Sequence, residues 1–281
     1  MVDLCKSTEE TLCLITSVFI ELIMNVEIKS LKAIDMGEFT LVCGLPGVAY
    51  IGKMAVDYLV QQLKAELVAE IYSKYFPPYI IIKEDGTTEL LSNELHWYKS
   101  QTGKNIMFLS GNSQAMSPEG QYEIADSILS WAIGHGLKRV YSVAGYVTDR
   151  PFETPSVYGT ATTSTLVEEV KKSGVLQLDH GVIGGENGLI MGLAKKKGVE
   201  GVCLLAETHG YQTEMGQYLL DAKAAKSALK ILDSILSLKV DMDPLDKQAA
   251  QMDEFISKMT EIQSRVKEEM TESAKKPSYI T

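Results

Sequence analysis

Basic charge is in short supply in this chain: 27 Lys and Arg face 37 Asp and Glu, a formal net charge of −10. Binding to a phosphate backbone rests on Lys/Arg clusters that displace counterions, so nucleic acid is not expected as a partner. The densest basic stretch, Lys195-Lys196-Lys197, reads as the end of a helix, where cations suit the dipole. Cysteine is sparse too. Cys5, Cys13, Cys43 and Cys203 show no CxxC or CxxH spacing, and the last two sit inside apolar runs where Cys acts as a small hydrophobe. That argues against a disulfide framework and a zinc site. The four His are scattered, with no pair at i, i+4, so neither a metal nor a cofactor is expected. Long apolar runs are missing as well. The nearest approach, residues Thr11 to Met24, is too short to span a bilayer, contains Glu21 and follows Glu9-Glu10, where a signal peptide would be positive. Its Leu12, Ile15, Phe19 and Leu22 fall at helical spacing. Residues 1–30 therefore read either as an amphipathic N-terminal extension or, in part, as sequence upstream of a natural start at Met24. Both readings point to a cytoplasmic protein with no membrane partner.

What is present is ordinary globular composition, 45% hydrophobic and 23% charged, with no low-complexity linker and no internal repeat. Apolar runs at Thr40–Cys43, Leu67–Ser73, Tyr79–Lys83, Asn105–Ser110, Arg139–Ala144, Val175–Leu178 and Gly201–Ala206 read as strands. Amphipathic stretches alternate with them: from Gly52 to about Ala65, Tyr122 to Gly134, Leu166–Lys172, Leu189–Lys197 and Ala222–Leu238. The alternation predicts an α/β fold, a three-layer α/β/α sandwich around a mixed, mostly parallel sheet. Asp85-Gly86 is a hairpin signal, so the region up to Lys99 reads as antiparallel. Gly145–Thr160 reads as a long polar loop. Four loops, Gly44–Gly52, Gly111–Gly120, Gly145–Thr160 and Glu207–Gly216, are expected to share one strand-end crevice.

Gly47-Val-Ala-Tyr-Ile-Gly52-Lys53 matches the opening of a phosphate-binding loop and lies between a strand and a helix. Met54 stands where a Ser or Thr would hold Mg²⁺, and the intervening residues favour packing. The alternative is a turn whose glycines permit close approach of helix and sheet. Ser110, Ser113, Asp179, His180, Glu207 and His209 lie near predicted strand ends, but no G-x-S-x-G elbow singles out a nucleophile. Glu207 and His209, directly after a buried strand, are the best crevice candidates, together with Gly47, Gly52 and Lys53.

Residues 31–240 thus read as one domain. Beyond it, Asp243-Pro244 is a helix start, and Leu245, Ala249, Met252, Ile256, Met259, Ile262, Val266 and Met270 step by three and four. That seam, in residues 241–270, fits either a helix packed on its own domain or a coiled-coil stripe joining copies. Residues 271–281 read as a flexible tail.

Several motifs in order resemble the archaeal branch of the proteasome assembly chaperone family. They are Gly44-Leu-Pro-Gly47, Gly52-Lys53-Met-Ala-Val-Asp-Tyr-Leu59, Pro77-Pro78, Leu109-Ser-Gly-Asn-Ser-Gln114, Val143-Ala-Gly-Tyr146, Tyr158-Gly-Thr-Ala161, Gly181-Val-Ile-Gly-Gly-Glu-Asn-Gly188 and Gly201-Val-Cys-Leu-Leu-Ala-Glu-Thr208. The resemblance covers residues 37 to 240. It implies a nucleoside-phosphorylase-like sandwich, a homo-oligomer and a non-catalytic role in binding proteasome α subunits or the α-ring of the 20S core particle. It also implies that both glycine loops shape the fold and bind nothing, and that Tyr279-Ile280-Thr281 is a docking tail. Tyr279 is third from the end and follows Ser278, one place off the family's hydrophobic–Tyr–X signal. The alternative from another class is a nucleotide-dependent ligase or phosphorylase-like enzyme using the strand-end crevice.

Overall fold

The computed structural model describes residues 25–258, apart from 101–102, 214, 252–253 and 256–257. In chain order the strands are β1 (Val26–Ser30), β2 (Phe39–Cys43), β3 (Glu66–Ser73), β4 (Ile80–Ile82), β5 (Thr88–Leu90), β6 (Asn93–Tyr98), β7 (Asn105–Gly111), β8 (Leu137–Val147), β9 (Val157–Ala161), β10 (Leu176–Gln177) and β11 (Glu200–Thr208). The helices are α1 (Ile51–Leu63), α2 (Pro118–Gly134), α3 (Ser164–Lys171), α4 (Glu186–Lys196) and α5 (Ala222–Leu236). Nine strands form one sheet in the order β1-β3-β6-β7-β2-β8-β11-β9-β10, and β4 and β5 form a separate hairpin.

The four central strands, β7, β2, β8 and β11, run parallel. They are buried on both faces, which is why they read as unbroken apolar runs such as Leu41-Val42-Cys43 and Val202–Ala206. Alternate residues feed two cores. Leu41, Met107, Leu109 and Cys203 pack with α2 and α4, whereas Val42, Phe108, Tyr141 and Leu204 pack with α1 and α5. On either side of this centre the pairing turns antiparallel: β6, β3 and β1 on one flank, β9 on the other. The expected mixed α/β/α sandwich is therefore present, with its parallel part at the centre.

Local chemistry sets the helix starts. Ser117 accepts from the Gly120 N–H at 3.1 Å with Pro118 next in line, and Asp221 accepts from the Ala224 N–H at 2.9 Å. In α5 the buried positions Ala225, Ala228, Leu232 and Leu236 step by three and four.

Two expectations change. The stretch Gly145–Thr160 is not all loop: β8 runs on to Val147 and β9 occupies Val157–Ala161, leaving 148–156 as the connection. The β9 sequence is short and contains Gly159, whose missing side chain admits Val175; its strand character comes from pairing with β11 rather than from its composition. The sheet also starts earlier than residue 31, because Val26–Ser30 is its edge strand.

Residues 243–251 are helical, as the Asp243-Pro244 start predicts. Leu245, the first seam residue, is buried against the domain's own core, and the Tyr58 hydroxyl donates to the Asp241 carbonyl at 2.5 Å. Met252, Ile256, Met259 and Ile262 of the seam lie outside the described residues, as do Met24 and Tyr279-Ile280-Thr281. Among the described residues, no helix is long and apolar enough to cross a membrane.

Candidate functional site

The parallel centre puts the ends of β2, β7, β8 and β11 on one edge, so the four predicted loops do share it. The first loop leaves β2 at Gly44. A side chain at Gly44 would meet the Gly52 carbonyl at 2.1 Å, and one at Gly52 would meet the Val143 carbonyl at 2.2 Å. These glycines therefore let the start of α1 lie directly on the sheet. Ala49 and Tyr50 take left-handed backbone angles, φ 51° and 55°, to make the turn.

Side chains from two other loops brace the entry to this turn. Asn187, at the start of α4, accepts from the Leu45 N–H at 3.0 Å and donates to the Leu45 carbonyl at 2.9 Å. Gln114, from the loop after β7, donates to the Pro46 carbonyl and accepts from the Glu186 N–H at 2.8 Å. Glu186 in turn accepts from the Ala115 N–H at 3.1 Å. Three loops distant in sequence are thus knotted by three side chains. Asn187 and Gln114 thus bond the backbone of Leu45 and Pro46, the two residues that lead into Gly47. Lys53 does not point into the loop, since its Nζ pairs with Asp57 at 2.8 Å.

Glu186 is 2% exposed, and one of its carboxylate oxygens has no partner. Burial pushes its pKa to about 7, against the lowering effect of the Ala115 N–H. Below it lie Cys43 and Cys203, both fully buried. Burial pushes the Cys43 thiol well up and the Cys203 thiol to about 11, so neither is a nucleophile near neutral pH.

Glu207 and His209 both stand at the end of β11 but do different things. The Glu207 side chain is wholly buried and held by two guanidinium nitrogens of Arg150, with a further bond from the Ser156 N–H at 3.2 Å. Burial works to raise its carboxyl, but Arg150 and Ser156 outweigh it and hold the group below the usual range. His209 stacks on Phe152, ring centroids 4.2 Å apart and planes 9° from parallel. Both residues thereby pin the loop 148–156 onto β11.

Lys53 and Asp57 border a separate polar cleft of about 250 Å³ that also takes in Glu94, His96 and Ser110. Ser110 Oγ donates to Asp57, and His96 Nε2 lies 2.8 Å from Glu94. Ser110 is on β7 and Glu207 on β11, three strands apart, so about 14 Å of sheet separates them. Asp179 accepts from Gln177 on a further loop. Of the set named for a hydrolase, Ser110, Asp179 and Glu207 are thus spread over the edge, and the polar groups around Ser110 are Asp57, Glu94 and His96 instead.

Sequence reasoning did not single out Gln114, Arg150, Glu186 or Asn187. Three of the four lie inside the stretches Leu109–Gln114 and Gly181–Gly188 quoted for the family resemblance, which is the signal that could have found them. Arg150 was findable by another route: a carboxylate that ends a fully apolar strand needs a cation.

A mixed nine-stranded sheet between two helical layers, with its strand-end loops tied to one another, defines the class of fold. The chain belongs to the PAC2 family, which it matches over residues 41–260. It is 34% identical over 235 residues to an uncharacterised protein of Methanocaldococcus jannaschii, covering 83% of this chain and 86% of that one. Among solved structures it is similar to Pyrococcus furiosus PbaB, described as an archaeal proteasome activator. The TM-score is 0.78 at 30% identity, over 84% of this chain and 100% of that one. It is also similar to Pyrococcus furiosus PbaA, an archaeal homologue of proteasome-assembly chaperone, with a TM-score of 0.69 at 26% identity over 89% and 98% of the two chains.

Proposed function

We propose that this protein is a non-catalytic chaperone or adaptor that binds proteasome α subunits or the α-ring of the 20S core particle. The observation that carries the reading is its likeness to PbaB, which extends over the whole of that chain. The knotted first loop fits it, because Asn187 and Gln114 tie the entry of the loop at Leu45 and Pro46 to its neighbours and Lys53 is paired with Asp57. In this reading the body acts as a homo-oligomer in the cytoplasm. The seam Met252, Ile256, Met259 and Ile262 joins copies beyond the point where Leu245 docks on its own domain. The segment Tyr279-Ile280-Thr281 supplies an aromatic anchor, an aliphatic neighbour and a carboxylate for docking.

The test is co-purification of the protein with proteasome α subunits from its native host, paired with titration calorimetry against Mg-ATP. The expected outcome is proteasome subunits in the eluate and no nucleotide binding tighter than millimolar. Micromolar binding that Lys53→Ala abolishes would favour the ligase or phosphorylase-like alternative. For the oligomer, Ile256→Asp with Met259→Asp should lower the mass seen by light scattering; an unchanged mass would place the seam within its own protomer.

A further inference from the structure

Strand β1 is the outermost strand of the sheet, and among the described residues no strand pairs with its outer edge. The Leu31 N–H donates to the Val68 carbonyl at 2.8 Å, and the Lys74 N–H donates to the Asn25 carbonyl at 3.0 Å. Those two bonds fix the parity of the ladder: the odd-numbered residues of β1 turn their backbone groups toward β3. The N–H and C=O groups of Val26, Ile28 and Ser30 therefore face outward. Such an edge is a template for another strand unless it is blunted or covered.

The sequence of β1, Val26-Glu27-Ile28-Lys29-Ser30, is self-complementary in charge about Ile28. When two copies run antiparallel with Ile28 facing Ile28, Glu27 of each lies opposite Lys29 of the other. Both side chains are exposed and on the same face. The backbone agrees with this register. The outward groups then meet in hydrogen-bonded pairs, Ile28 with Ile28 and Val26 with Ser30, and the charged residues fall on the non-hydrogen-bonded pairs between them.

Apolar side chains also lie exposed near this end of the sheet. A groove of about 940 Å³ opens at the Asn25 end of β1, lined by Glu27 and Ile28, by Tyr72 and Ser73 of β3, and by Tyr79, Ile80 and Leu90 of the hairpin region. Those last three residues are 66%, 58% and 61% exposed.

We propose that two copies of this chain join edge to edge through β1, antiparallel about Ile28, so that their sheets become one continuous sheet across a two-fold axis. The contact is isologous, each copy giving and receiving the same groups. It is independent of the C-terminal seam and of any proteasome contact.

The test uses two full-length variants, Glu27→Cys and Lys29→Cys, oxidised separately and as an equal mixture. In the proposed register positions 27 and 29 face each other with Cα atoms about 4.5 Å apart, within disulfide reach. Like positions lie roughly 8 Å apart across the axis, too far to bridge. The wild-type chain, with its own cysteines, gives the background. A covalent dimer several-fold above background in the mixture alone is the expected result; no excess in the mixture overturns the proposal. Ser30→Pro, added to both cysteine variants, removes an outward N–H at an exposed position and leaves the bonds to β3 intact. It should abolish the excess cross-link while circular dichroism stays unchanged. An excess that survives Ser30→Pro overturns pairing through the strand edge. The cross-link reads this contact whatever else holds the assembly together.

Discussion

The carboxyl ends of the central strands and the outer flank at β1 are built on opposite terms. At the strand ends the loops after β2 and β7 are tied to the start of α4 through Gln114, Glu186 and Asn187, and Arg150 closes the loop after β8 onto Glu207. At the flank, β1 leaves half its backbone groups facing outward, and the hairpin holds up Tyr79, Ile80, Ile82 and Leu90 to solvent. At the strand ends these side chains hold loops to one another, while at the flank the β1 edge has no strand partner among the described residues and the hairpin's apolar side chains are exposed. That contrast fits a protein that works by contact with other proteins.

The knot is the place to break the comparison most sharply. Replacing Asn187 with Leu strips partners from the Leu45 N–H and carbonyl, both buried. Unsatisfied buried groups cost about 1–3 kcal/mol each, so Asn187→Leu should lose roughly 2–5 kcal/mol in urea unfolding.

Glu186 gives a smaller effect with a defined sign. Its folded pKa of about 7 lies above its ordinary 4.5, so the folded state holds a proton that the unfolded state has released between those values. Stability from this group is therefore full below about pH 4.5 and is lost as pH rises through 7. Glu186→Gln should match the wild type near pH 4 and exceed it by up to about 3 kcal/mol at pH 8. Unfolding curves at the two pH values check this.

At the flank, Ile82 is 71% exposed, and Ile82→Ser should change stability by less than about 0.5 kcal/mol. A loss near that expected for Asn187→Leu would mean that the hairpin is part of the fold and not a surface held in reserve.

The layered fold was legible because the central strands are apolar on both faces and the helices keep a 3.6-residue period. The hairpin at Asp85-Gly86 was legible because a turn signal is local: Asp85 accepts from the Thr87 N–H at 2.9 Å. Strand β9 was not, since Val157–Ala161 is short and is ordered by its neighbour β11. The site was less legible for the same reason. Asn187 and Leu45 are 142 residues apart, and Arg150 and Glu207 are 57 apart, so no spacing rule joins them. Lys53 shows the limit in the other direction. Its motif was plain in the sequence, but Asp57, one turn further along α1, claims its charge.

The account stands on recognition of the proteasome, and surface plasmon resonance on an immobilised archaeal 20S core particle tests it most directly. The full chain should bind saturably, and a chain lacking Pro277–Thr281 should bind about tenfold more weakly, as the loss of one well-seated anchor of about 1.4 kcal/mol would produce. Equal affinity of the two chains would move the contact from the tail to the folded body. No binding by the full chain at concentrations where it is folded and assembled would contradict the account.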